Sequence, residues 1–176
     1  MRSLRRLLGL DEAAAVERDD TETVRRIAQQ LDRMDPEQAR YLASFAYVLA
    51  RVAHADHDVS DEEVREMEKW VRELGELSEA QAALVVQIAK SQAIHLGATE
   101  NYVVTRQFRE SSTREQRLGL LRCLFAVAAA DQTVSDVENT EISLIANELG
   151  ITAPEVAAAR GAYREYLSVL RHLPRG

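Results

Sequence analysis

Ten residues, His54 to Glu63, read HADHDVSDEE and bring two histidines and five acidic side chains together. Aspartates two positions apart in an extended segment point to the same side, so Asp56 and Asp58 converge if the stretch before Ser60 is a loop. Ser60 stands where a helix N-cap belongs. Glu63, three positions on, reaches back to that loop as the capping-box partner. Three carboxylates, one hydroxyl and the loop carbonyls would supply most of the roughly six to eight oxygens that Ca2+ takes. The pattern is not an EF-hand: Asp56, Asp58 and Ser60 fit its first, third and fifth positions, but Met67 stands where the bidentate glutamate is needed.

Two other readings use the same residues. In one, Ser60 and Glu63 only start a helix, and the surrounding acids are favoured by the positive end of its dipole. In the other, His54, His57 and Asp58 hold a transition metal and serve a metal-dependent hydrolase, since His57-Asp58 is the letter pair of the HD phosphohydrolases. That chemistry needs further ligands on separate helices, and only His95 and His172 remain, neither with a paired acid at metal-ligand spacing. Cation choice separates the readings: oxygen ligation favours Ca2+ or Mg2+, whereas histidine ligation favours Zn2+, Mn2+ or Fe. The chain has no Gly-rich phosphate loop, no Ser–His–Asp set and no cysteine pair. Its single cysteine, Cys123, lies within the apolar run LGLLRCLFAVAAA and reads as a buried filler.

The acidic motif occurs twice. Shifting the chain by 75 residues lays Ala128 to Glu138, AAADQTVSDVE, over the first copy, so that Asp131, Ser135 and Glu138 meet Asp56, Ser60 and Glu63. Leu49, Val52, Val59, Glu66 and Glu73-Leu74-Gly75 likewise meet Leu124, Val127, Val134, Glu141 and Glu148-Leu149-Gly150. Thr133 replaces Asp58, which leaves Asp131 and Glu138 as the carboxylates of the second loop and predicts weaker cation binding there. A helix–loop–helix unit used twice, with a further helix after each copy, buries apolar faces that neither half covers alone.

Capping signals place the helices. Asp35-Pro36, Ser60, Ser78, Thr113, Ser135 and Thr152 each precede Glu or Gln by three positions, while Gly75 and Gly150 stand where a left-handed helix end is expected. Together with apolar spacing such as Leu42, Phe45, Leu49 and Val52, they predict helices near 21–34, 36–54, 60–74, 78–95, 99–110, 113–130, 135–149 and 152–172. The expected fold is all-α, a single bundle of about eight helices with an internal pseudo-twofold repeat. Its halves cover about 36–95 and 113–172 within a domain of 21–176, behind an N-terminal segment of 1–20. Gly119 and the alanine-rich segments are expected to let helices approach closely.

Composition narrows the function. A net charge of −7 with dispersed arginines argues against a nucleic-acid partner. The basic start MRSLRRLLGL breaks at Asp11, too early for a secretory signal, and no apolar run reaches the roughly 20 residues of a membrane span. The expected location is therefore cytoplasmic.

The doubled motif, ADHDVSDEE from Ala55 and ADQTVSDVE from Ala130, resembles that of the tellurite-resistance TerB family, an all-helical domain with Ala-Asp-Gly-x-(Ile/Val)-(Ser/Asp)-x-x-Glu in each half. The resemblance runs over roughly 36–170. His57 and Gln132 stand where that pattern has glycine. It implies a non-enzymatic module of bacterial metal, tellurite or envelope stress responses. Such a module binds a divalent cation, Ca2+ or another, or a protein partner, through its acidic loops. Partners would include a membrane-associated complex, which would place the chain at the periphery of the inner membrane. A purely structural interaction domain without metal is the remaining alternative.

Overall fold

The computed structural model describes residues 18–53, 61–91, 98–129 and 136–172. These residues form eight α-helices and no strand: α1 (Arg18–Asp32), α2 (Pro36–Ala53), α3 (Asp61–Gly75), α4 (Glu79–Ser91), α5 (Ala98–Ser111), α6 (Arg114–Ala128), α7 (Asp136–Glu148) and α8 (Ala153–His172). The all-helical expectation holds among the described residues.

Local chemistry sets the helix starts. Asp35 Oδ1 accepts the amides of Glu37 and Gln38 at 2.9 and 3.3 Å, with Pro36 at the first helical position. Ser78 and Gln81 exchange bonds before α4, and Thr113 and Gln116 do so before α6. At α8 the exchange is partial: Glu155 accepts both the amide and the hydroxyl of Thr152, so the threonine hydroxyl is spent on the glutamate. The caps Ser60 and Ser135 lie outside the described residues.

The helix ends divide the two glycines. Gly150 has φ +71°, the left-handed conformation expected of it. Gly75 does not: it is the last residue of α3, and Glu76 takes the left-handed position at φ 54°. Space explains Gly75, since a Cβ there would lie 3.1 Å from Phe45 Cζ and 3.5 Å from Cys123 Sγ. Gly119 meets the same seam from α6, where an added Cβ would lie 2.9 Å from the Leu74 carbonyl oxygen. The close approach expected at Gly119 is thus a backbone contact between α3 and α6.

Two helices occupy the centre. On α2, Leu42, Phe45, Ala46, Val48 and Leu49 are fully buried, and on α6 so are Leu120, Leu121, Cys123 and Leu124. Helices buried nearly all round belong in the middle of a bundle. Around them α3 packs on α6 and α4, α4 on α2 and α1, α5 on α2 and α7, α8 on α6, and α7 on α2 and α6. Each acidic helix, α3 and α7, therefore rests on the central helix of the opposite half. Tyr41, Phe45 and Phe108 form an aromatic cluster, and Trp70 meets Tyr163 edge-on.

Candidate functional site

The sequence puts the chemistry at the starts of α3 and α7. α3 is described from Asp61 and α7 from Asp136, so Glu63 and Glu138 each lie in the first described turn of an acidic helix. Asp56, Asp58, Ser60 and Asp131, with His54 and His57, lie outside the described residues, as do the side chains of Glu63 and Glu138. Among the described residues no group of three or more His, Cys, Asp and Glu is placed to hold a metal ion.

What the structure does bring together, in the helices flanking those loops, is an ionic network that the sequence did not announce. Arg51, in the last turn of α2, points its guanidinium into the junction of α2, α5 and α7. Its Nε and Nη2 donate to Glu141 Oε1 at 2.8 and 2.7 Å, and its Nη1 donates to Glu148 Oε2 at 2.8 Å and Thr105 Oγ1 at 2.7 Å. The arginine side chain is 5% exposed, Glu148 9% and Glu141 31%. Such burial is tolerable because the fork finds acceptors on every side. Thr105 passes its own proton to the Asn101 carbonyl at 2.9 Å, and Asn101 Oδ1 accepts from the Tyr47 hydroxyl at 2.5 Å. One connected set of bonds thus joins the stem of the first acidic loop to the helix that follows the second.

A second guanidinium meets α7 from the other side. Arg160, on α8, lies over the Phe125 ring at 5.4 Å and donates to Asn139 Oδ1 at 2.9 Å, in the first turn of α7. The aromatic face and the amide oxygen together fix this cation beside the start of the helix.

Sequence reasoning noted Glu141 and Glu148 as repeat positions but passed over Arg51, Thr105, Arg160 and Asn139. One signal was available, an arginine inside the otherwise apolar run AYVLARVA of α2. The expectation for Cys123 fares differently. The thiol is fully buried, faces the Trp70 carbonyl oxygen at 3.7 Å, and burial pushes its pKa well up, so it stays protonated and packs as a filler. Among the described residues the buried Tyr41 hydroxyl has no hydrogen-bond partner, and burial, with Cys123 and Glu76 nearby, pushes its pKa up to about 12.

Among the described residues no helix is long and apolar enough to cross a membrane. No curated protein and no solved structure matches the chain. The sequence pattern of the family described as Tellurite resistance protein TerB matches residues 42–161, which takes in α2 from its second turn, both acidic motifs and the first half of α8. With that span covering most of its length, the chain belongs to the TerB family.

Proposed function

We propose that this chain is a non-enzymatic TerB-type module that binds a divalent cation, Ca2+ in the first instance, through the loop that carries Asp56, Asp58, Ser60 and Glu63. The observation that supports the reading is that α3, described from Asp61, carries Glu63 at the end of the helix next to the acidic loop, where a capping-box carboxylate reaches back toward the residues before it. The second loop, with Asp131 and Glu138, binds more weakly because Thr133 takes the place of a carboxylate. The module works in a bacterial metal, tellurite or envelope stress response, in the cytoplasm or at the inner membrane beside a membrane-associated complex.

A ligand that binds only the native state raises the melting temperature by mass action, by on the order of 5–10 °C for a chain of this size at about a hundredfold excess over Kd. Calcium is expected to do so here. Asp56→Asn and Asp58→Asn remove the increment while leaving the ion-free melting temperature nearly unchanged. Glu63→Gln keeps a capping partner but loses the ligand charge, so it abolishes the increment and spares the helix start. An unchanged melting temperature of the native chain in millimolar calcium rules the cation reading out.

A specific observation favours the second reading, an interaction module that needs no ion. Tyr102 and Val103 on α5 and Leu144 on α7 are about half exposed (50%, 51% and 48%), and these two helices pack against each other. Large apolar side chains left in water on adjoining helices suit contact with a protein.

A further inference from the structure

Positions 75 residues apart correspond on α3 and α7, and the inner faces of the two helices agree: Met67, Trp70 and Val71 are buried, as are Ile142, Ile145 and Ala146. Their outer faces do not. On α7 from Asn139 onward the exposed positions are Thr140, Ser143, Leu144 and Asn147, none of them charged. The same positions of α3 are Arg65, Glu68, Lys69 and Arg72, and the three cations are exposed. A chain in which 29% of residues are charged thus leaves one of two corresponding helix faces neutral. Leu144 stands half exposed on that face, and α5, which packs on α7, adds the exposed Tyr102 and Val103. Charge depletion around large exposed apolar side chains marks the centre of a contact surface rather than a solvated face.

We propose that this face pairs with the same face of a second copy of the chain, in a twofold dimer whose two α7 helices lie antiparallel. The inference rests on the ion-free interaction reading and names its partner. In a twofold interface each patch meets its own copy, so like charges oppose each other unless the patch is neutral. Each copy carries a net charge of −7, and two copies meet with least repulsion where free carboxylates are missing. Glu141 and Glu148, the carboxylates of α7 from Asn139 onward, are both held by Arg51. The polar groups of the face match as well. Ser143 gives its proton to the Asn139 carbonyl at 2.7 Å and is left an acceptor, while the Asn147 carboxamide carries N–H donors. Antiparallel pairing centred one residue past Leu144 sets Ser143 of each copy opposite the partner's Asn147, with the two leucines side by side at the axis. On α3 the same arrangement would bring two Lys69 ammonium groups together. With one neutral face per chain, association stops at two copies instead of continuing.

Sedimentation equilibrium of the full chain in EDTA, where no divalent cation takes part, tests the proposal. The native chain should show twice the 19.7 kDa of one copy at high micromolar concentration and approach 19.7 kDa on dilution. Leu144→Lys installs the residue of α3 and sets two ammonium groups together at the axis, so it should raise the dissociation constant by at least roughly tenfold. Asn147→Asp sets acceptor against acceptor and should weaken the dimer several-fold. Both positions are exposed, so at low concentration, where the copies are separate, each variant should melt as the native chain does. Lys69→Glu on α3 is the control and should leave the association unchanged. A native chain of 19.7 kDa at every concentration overturns the proposal, and so does a dimer that Leu144→Lys leaves intact. The reading on which it rests is judged apart. A monomeric native chain that retains a different protein, and loses it in Leu144→Lys, keeps the ion-free contact and sinks only its assignment to a second copy.

Discussion

Two seams join the halves of this bundle, and they are closed by opposite means. Between α3 and α6 the backbones touch: Gly119 leaves no room for a Cβ against the Leu74 carbonyl, and Gly75 lies under Phe45 and Cys123. Between α2 and α7 the equivalent of Gly119 is Ser44, buried, with its hydroxyl turned back to the carbonyls of Arg40 and Tyr41 at 2.7 and 3.1 Å. Here the contact carries charge, the guanidinium of Arg51 against Glu141 and Glu148, while Arg109 of α5 lies beside Gly150 at the end of α7. A duplicated unit need not close both of its contacts alike. The missing side chain at position 119 lets two helices meet at backbone distance, while position 44 keeps a buried side chain and the α2–α7 contact is made by an ionic group.

The comparison can be broken most forcefully at Gly119. Gly119→Ala places a Cβ against a backbone oxygen that cannot rotate away, so helices must separate, at an expected cost of about 2–3 kcal/mol in urea unfolding. Gly150→Ala should cost less, about 1–2 kcal/mol, because the penalty is mainly the left-handed backbone at φ +71° while the neighbour 3.1 Å away is the movable end of Arg109. Equal costs for the two substitutions would remove the distinction between a backbone-limited seam and a side-chain-filled one.

Tyr41 gives the smallest effect and the opposite sign. Its counterpart in the second half is Gln116, a capping residue, whereas Tyr41 stacks on Phe108 at 5.4 Å and its buried hydroxyl is unpaired among the described residues. Tyr41→Phe should be neutral or stabilising by up to about 1 kcal/mol near neutral pH. With a folded pKa near 12 against an ordinary 10, the unfolded chain ionises first, so native stability falls as pH rises through that interval. The phenylalanine variant should fall less steeply there, and urea midpoints measured across the interval check it.

The sequence revealed the fold through local chemistry. Asp35, Ser78 and Thr113 each spend a side chain on amides within three residues, and such short-range bonds leave a readable spacing. Gly75 was misjudged because the same letters, Glu-Leu-Gly, end both acidic helices, and only the distance to Phe45 and Cys123 tells a packing glycine from a conformational one. Arg51 was missed for a related reason. Its carboxylate partners lie 90 and 97 residues away, and no local rule links positions so distant. The acidic loops themselves, with Asp56, Asp58, Ser60, Asp131 and Ser135, lie outside the described residues.

The single thiol gives this protein a built-in clock. Cys123 is sealed between the Gly75 turn and the Trp70 carbonyl, and burial keeps it in the unreactive protonated form. A thiol reagent in solution therefore reports how often the α3–α6 seam opens, and no label has to be engineered into the chain. The rate of modification, followed as denaturant is added, separates local breathing of that seam from global unfolding.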